Sequence, residues 1–374
     1  MEESGHVTSL RGVVAGLAVG ACLTWNVSNV GAVADPLAKH YGVSLAAVGL
    51  LTTALFVTLL AVQLPSGRGA DRFGSRRIAL LAIAAGVVGN VILLVDAGFG
   101  LALFGRAVVG IGSGAGFVAG LDLVRAGGGR TALQGLYGGA TMVGAGLALM
   151  VVPPLTDATS WRAPYWSGAF LSLLALVPTI AAVGLPRLGH AGQWVVRDRR
   201  LLPIGLLQAA TFGLAVVAGN WVVPLLERQG ASSAAAGLAG GLILLVGIAT
   251  RPAGGLLAGR VSGRRIVVAG LLGTSLGALV LALGWSLAVS AFGALILGLS
   301  GLPFAVIFAA AQRARPEAPG AAIALVNACA VLTVVIGTPL AGLAFELPSD
   351  GRLAFAVIAA LGAATLIPLR AMRL

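Results

Sequence analysis

The sequence predicts an all-α integral membrane protein: 12 transmembrane helices in two pseudo-symmetric six-helix bundles. Three observations lead there. First, 58% of the 374 residues are hydrophobic and only 10% charged, with a mean hydropathy of +1.01. A water-soluble domain carries about 25% charge, so the polar side chains are too few to coat a globule and lipid is the better solvent. Second, the apolar residues form runs long enough for bilayer crossings of about 20 residues, too long for outer-membrane barrel strands. Third, Pro36-Leu37, Gly42, Gly49, Gly67 and Arg76-Arg77 recur 188 residues later as Pro224-Leu225, Gly230, Gly237, Gly255 and Arg264-Arg265. A repeat of half the chain, built from membrane helices, marks two fused half-proteins and points to transport.

The spans read in order as 11–34, 45–66, 78–95, 100–121, 132–154 and 163–184, then 201–224, 233–254, 266–284, 286–308, 319–341 and 353–370. The first follows Arg11 and runs to Asp35-Pro36. Its ending Ala32-Val33-Ala34 imitates a signal-peptidase site, but an apolar run of about 20 residues exceeds the 7–15 of a signal peptide, so it reads as an uncleaved helix. An arginine-rich loop separates the second span from the third, and Arg125/Arg130 separate the fourth from the fifth. Residues 185–200 form the longest polar stretch, a linker between an N-terminal bundle (1–184) and a C-terminal one (201–374). A weaker echo sets Trp161-Arg162 against Gly351-Arg352, where the sixth and twelfth spans open.

The formal charge is +12, and its placement argues for topology rather than nucleic acid. Nineteen of the 24 basic residues, among them Arg68/Arg72/Arg76/Arg77 and Arg251/Arg260/Arg264/Arg265, read as lying on one side of the membrane. The positive-inside rule then places both termini in the cytoplasm. Cys22 and Cys329 are too sparse for a disulfide framework or a metal site. No cofactor is expected, and the isolated His6, His40 and His190 do not make an enzyme. Glycine recurs every fourth residue in the fourth span (Gly110/Gly114, Gly112/Gly116/Gly120) and in the fifth (Gly135/Gly139), which lets helix backbones approach closely.

Gly67-Arg68-Gly69-Ala70-Asp71-Arg72-Phe73-Gly74-Ser75-Arg76-Arg77 resembles the loop signature of the major facilitator superfamily, and its second copy, Gly255 to Arg265, has Gly259 in place of the aspartate. The resemblance implies two bundles working by alternating access. It also implies a cytoplasmic gate in which Asp71 meets the start of the eleventh helix near Pro319-Gly320, with Asp122 as a further partner of Gly67, Arg72, Gly74, Arg76 and Arg77. Ser75 departs from the basic residue common at its position. Arg106 with Gly110, Gly112 and Gly114 is similar to the family's fourth-helix motif.

Arginine is costly in a bilayer, so Arg106 faces protein or water; it serves either the cavity or the packing. Asn26, Asn29, Gln208, Thr211 and Asn220 are read either as interhelical hydrogen-bonding groups or as substrate contacts, and Arg106, Asn29 and Asn220 fall at similar depth. Trp25 is a candidate cavity wall, Trp221 a wall or an interfacial anchor, and Tyr137 and Asn327 complete the set. Asp35, at the outer end of the first span, is the candidate for proton coupling. With one cation and no convincing acid in the cavity, the expected substrate is a small organic anion or a neutral polar metabolite. Proton-antiport efflux of amphipathic compounds is the alternative within transport, and a sensor or scaffold the alternative outside it. The remaining expectations are an inner-membrane location, a lipid bilayer as surroundings and a monomeric state.

Overall fold

The computed structural model describes residues 9–128, 130–183, 195 and 197–369. Among them are twelve helices long and apolar enough to cross a membrane. These are α1 Leu10–Ser28, α2 Ala47–Phe73, α3 Ser75–Leu94, α4 Phe99–Gly128, α5 Thr131–Ala158, α6 Ala163–Ala181, α7 Leu201–Arg228, α8 Ala235–Leu257, α9 Gly263–Leu283, α10 Leu287–Ala314, α11 Pro319–Ala344 and α12 Arg352–Leu369. The described residues contain no strand. The expected linker lies outside them, apart from 195 and 197–200.

Two boundaries differ from the hydropathy reading for physical reasons. The first span does not run to 34: α1 stops at Ser28, a 3-10 turn covers Gly31–Val33, and a separate short helix spans Ala34–Tyr41. A continuous helix would drive the Pro36 ring into the carbonyl of residue 32 and leave that carbonyl without a donor. At the other end of α2, residues 67–73 are not loop but the last turns of the helix, which breaks only at Gly74 (φ +91°). Hydropathy falls there before the helix ends, because its last turns are polar.

The chain divides into two compact units. Unit 1 comprises Met1–Leu133, Ala140–Val196 and Arg315–Ala324; unit 2 comprises Gln134–Gly139, Arg197–Ala314 and Leu325–Leu374. Residues 134–139 of α5 therefore belong to unit 2, and residues 319–324 of α11 to unit 1.

In unit 1, α4 is the hub, packed on α1, α2 and α3. Its glycines are distributed by neighbour. A Cβ on Gly110 would stand 2.3 Å from the Leu55 carbonyl oxygen of α2, and one on Gly112 2.7 Å from that of Ala82 in α3. On the α1 side, a Cβ on Gly16 would stand 2.4 Å from the Gly120 oxygen. Real Cβ atoms do not come so close, so each contact requires the bare backbone. Unit 2 follows the same rule: α9 packs on α10 and α12, with Gly270 against Pro303 and Gly277 against the Leu297 backbone.

Outside, the polarity is inverted relative to a soluble protein. Met150, Val177, Leu238 and Ile367 are 70–77% exposed, whereas Asn26, Asn29, Asn90 and Arg106 are fully buried. Such an apolar exterior is what a hydrocarbon solvent selects.

The glycine contacts carry a prediction. Gly110→Ala should lower thermal stability in detergent by about 1–3 kcal/mol through overpacking. Gly146→Ala, at a helical site with nothing within 4 Å, should leave it unchanged or raise it by up to about 1 kcal/mol. Thermal unfolding of the two variants checks the contrast.

Candidate functional site

Polar side chains gather where α1 ends. A helix terminus leaves carbonyls without intrahelical donors, and here a cation supplies protons. Arg106 of α4 donates from Nη2 to the Asn26 carbonyl (3.0 Å) and from Nη1 to Asn29 Oδ1 (3.4 Å), with Nε 3.5 Å from the Leu51 carbonyl. All three acceptors are neutral, so the charge is held by backbone and amide dipoles at a helix C-terminus, where cations are favoured. Asn29 donates to the Pro164 carbonyl (2.7 Å), Asn90 to Asn26 Oδ1 (2.9 Å) and the Trp25 indole to Ser167 (3.2 Å). Thus Trp25, Asn26, Asn29 and Arg106 come together as one interhelical network joining α1, α3, α4 and α6.

Elsewhere buried amides lack partners: Gln63 of α2 in unit 1 has none for either amide atom, and unit 2 holds further cases. Both amide atoms of Gln208, which is 1% exposed, are buried without a hydrogen-bond partner, as is Oδ1 of Asn327 on α11. Directly after Gln208 the backbone of α7 widens into a π-helical stretch, Ala209–Gly213, and Thr211 bonds back to the Leu207 carbonyl (2.7 Å). Asn220 donates to Thr338 Oγ1 (3.2 Å), and the Trp221 indole to the Thr338 carbonyl (2.9 Å) while stacking on Phe345. Those two residues fasten α7 to α11; Tyr137, in the α5 segment of unit 2, is fully buried.

The motif at the end of α2 is assembled around two carboxylates. Asp71, 3% exposed, accepts from the Gly320 N–H (2.7 Å) and the Ala321 N–H (2.9 Å) and so caps α11. A carboxylate there satisfies two orphan donors and meets the positive end of the helix dipole. The backbones approach closely enough that a Cβ on Gly67 would stand 2.4 Å from the Gly320 oxygen. Asp122 accepts from Arg125 (Nε 2.8 Å, Nη2 2.5 Å) and from the hydroxyl of Ser75. Ser75 thus fills by hydrogen bond the place where the motif commonly has a cation. Arg76 donates to the carbonyls of Thr179 (3.1 Å) and Ile180 (2.9 Å), closing the end of α6. Arg72, over the Phe73 ring, and Arg77 are exposed. Asp35 is exposed in the first turn of the short helix Ala34–Tyr41.

The Major Facilitator Superfamily model matches residues 14–214. The chain belongs to that superfamily. The fold is similar to those of three solved transporters. The E. coli fucose:proton symporter has TM-score 0.74 at 13% identity, over 97% of this chain and 98% of that one. The human organic anion transporter MFSD10 has TM-score 0.73 at 16% identity, over 98% and 100%. A proton:xylose symporter of the same superfamily has TM-score 0.76 at 12% identity, over 98% and 96%. No curated protein sequence matches the chain. A major facilitator protein with twelve membrane-spanning helices is a multi-pass membrane protein of a family of secondary transporters.

One residue of this superfamily member escaped the sequence reading. Arg251, taken as one of the loop arginines, lies inside α8 and is 4% exposed. Its guanidinium stands 4.9 Å from the Phe212 ring centroid and 4.7 Å from that of Phe304, and donates to the Gly138 carbonyl (3.1 Å). Beside it, Gln134 and Gln312 exchange two hydrogen bonds (3.0 and 3.2 Å). The signal was available: position 251 falls inside the predicted span 233–254, and a charge in a span is exceptional.

Two outcomes follow from these contacts. Asp71→Asn keeps one acceptor oxygen for two N–H donors and removes the charge at the α11 terminus, a loss of about 1.5–3 kcal/mol for a charged hydrogen bond. Transport in reconstituted vesicles should fall about tenfold or more while membrane insertion is retained. Arg251→Lys keeps the charge but loses the planar face against the rings, and should lower the unfolding temperature, whereas Arg260→Lys, at an exposed site, should not.

Proposed function

We propose that the chain is a secondary active transporter that moves a small organic anion or neutral polar metabolite across the inner membrane by alternating access. The observation that carries the substrate assignment is the buried, partnerless carboxamide of Gln208 at the π-helical turn of α7, with the partnerless Oδ1 of Asn327 on α11 in the same unit. More than nine in ten buried polar groups in proteins find a partner, and π-helical turns occur preferentially at functional sites. A hydroxyl-bearing solute supplies donors for the Gln208 and Asn327 amide oxygens, and a hydroxyl or carboxylate oxygen accepts from Gln208 Nε2.

Charge placement supports the same class. Among the described residues, the carboxylates within crossing helices are Asp71, Asp122, Asp157 and Glu227. The first two are engaged at the arginine-rich ends, and the last two are exposed near the opposite ends of α5 and α7. Recognition of an organic cation favours a mid-span acid, and these do not supply one. Anion transport and sugar–proton symport are the activities of the solved proteins that share the fold.

In this reading the arginine-rich loops face the cytoplasm with both termini, Asp71 at the start of α11 acts as the cytoplasmic latch, and Asp35 is the coupling candidate. Trp25, Asn26, Asn29 and Arg106 form the fixed frame of unit 1, while Gln208, Thr211, Asn220, Trp221, Asn327 and Tyr137 belong to the substrate-contacting set.

Thermal-shift screening of the purified protein against sugars, organic acids and lipophilic cations tests this assignment. Stabilisation by an organic acid or polyol is expected. Gln208→Leu should leave the ligand-free unfolding temperature unchanged or raised, because an unsatisfied amide becomes an apolar group, and should abolish the ligand-induced shift. Stabilisation confined to lipophilic cations, or a ligand shift surviving in Gln208→Leu, would overturn the assignment.

A further inference from the structure

The end of unit 1 away from the arginine-rich motif carries a cluster of titratable and aromatic groups that the transport reading does not use. The ring of His40, at the end of the short helix Ala34–Tyr41, lies parallel to the Trp161 indole (centroids 3.5 Å apart, 15° between planes). Its Nε2 is 2.7 Å from Asp96 Oδ1, and Asp96 Oδ2 accepts from Arg162 Nη2 at 3.3 Å. Arg162 itself stands over the Trp161 ring at 4.6 Å. Tyr41 meets His40, Phe99 and Trp161 edge-on, and its hydroxyl is 3.4 Å from that of Tyr165. One carboxylate and one indole thus tie together three segments: the short helix after α1, the α3–α4 turn and the α5–α6 turn.

The second repeat shows what this arrangement replaces. At the offset of 188 residues, His40 corresponds to Arg228 and Asp96 to Gly284. Arg228 makes the equivalent strap with a permanent charge: it lies over the Phe345 ring at 5.0 Å, donates to the Phe345 carbonyl and stands 3.9 Å from Asp350. Gly284 is left-handed (φ +61°), as the turn requires. Asp96 keeps the same left-handed backbone (φ +59°) at a position where glycine costs nothing. Where unit 2 carries a permanent cation, unit 1 carries an imidazole, and it holds the carboxylate facing it in the left-handed region. Histidine is the side chain whose charge ordinarily changes between pH 5 and 8, and a quarter of each of the two side chains is exposed, so protons reach them.

We propose that His40, Asp96 and Trp161 form a pH-sensitive clasp that fastens the short helix Ala34–Tyr41 to the α3–α4 and α5–α6 turns when the imidazole is charged and loosens it when the imidazole is neutral. The groups facing the imidazole set the sign. Asp96 touches it directly; Arg162 opposes its charge but contacts the other carboxylate oxygen. Tyr41 and Tyr165 contribute hydroxyls, and burial pushes the Tyr41 hydroxyl above its ordinary pKa, so it stays neutral over this range. Lys39 and Asp35 on the same short helix are exposed. Charge on the ring strengthens both the contact to Asp96 and the stack on the indole. The clasp is tight at acid pH and is lost as pH rises.

Backbone hydrogen exchange of the full-length protein at pH 5.5 and pH 8.0, corrected for the intrinsic exchange rate, tests the clasp without reference to substrate or sidedness. Residues 34–42 should exchange at least threefold more slowly, after correction, at pH 5.5. His40→Arg, which places the cation of the second repeat here, should give slow exchange at both values, and His40→Gln fast exchange at both. Residues 222–230 of the second repeat should show no pH response. Equal protection of residues 34–42 at both pH values in the unsubstituted protein, or a pH response that survives His40→Arg, would refute the clasp and leave the transport assignment untouched.

Discussion

In hydrocarbon, apolar surface gains nothing by leaving the solvent, so helices associate through dispersion contacts and hydrogen bonds alone. The close backbone approach of α4 to α1, α2 and α3 is the contact on which unit 1 depends. Each glycine of α4 that meets a carbonyl of a neighbour removes the one atom that would hold the helices apart. This proximity in turn lets the Arg106 side chain reach the terminal carbonyl of Asn26 on α1 and that of Leu51 on α2 at once. A buried guanidinium is tolerable only with its protons donated, and helices a few ångströms further apart would leave it unsatisfied. Packing of the smallest residue and burial of the largest cation are therefore one design.

Buried polarity is handled in two ways, and unit 1 holds both. Around the break of α1, Trp25, Asn26, Asn29 and Arg106 all find protein partners, which makes a rigid frame. At Gln208 the polarity is buried without partners, and the adjoining π-helical stretch spans one residue more per hydrogen-bonded ring than the helix on either side. A frame resists change because every alternative breaks a bond; an unsatisfied amide favours any arrangement that brings it a partner. Gln208 on α7 and Gln63 on α2 are both in that position.

Much of the fold was legible because the bilayer imposes a length and a composition on every crossing. The twelve spans and the helical class follow from that constraint and need no tertiary information. The polar helix ends were the least legible part: residues 67–73 are helical although their hydropathy is that of a loop, and α1 stops six residues early because of a proline beyond its end. Side-chain partners were expected only where the family resemblance supplied them, as for Asp71 at the start of α11. The hydrogen bond of Ser75 to Asp122 and the seating of Arg251 between Phe212 and Phe304 depend on which helix faces which, and linear spacing does not encode that. The π-helical turn has no compositional signature in Ala209-Ala-Thr-Phe-Gly213.

Divergence between the repeats shows where chemistry has been added to a shared scaffold. Positions that set geometry stay fixed: Gly67 and Gly255 both lie against a backbone neighbour, and the turns at Asp96 and Gly284 are both left-handed. Several polar and charged positions do not, although Arg72, Arg76 and Arg77 recur as Arg260, Arg264 and Arg265. Asp71 caps α11, but its counterpart Gly259 has no side chain to cap with; Gln63 is buried with both amide atoms unpartnered, whereas its counterpart Arg251 is held between aromatic rings. A symmetric scaffold with identical side chains would have equal energies at corresponding contacts, and no step of a transport cycle could be biased toward one unit. Unequal side chains on matching positions remove that degeneracy, and Asp71, Gln63 and His40 are where the two repeats differ in this way.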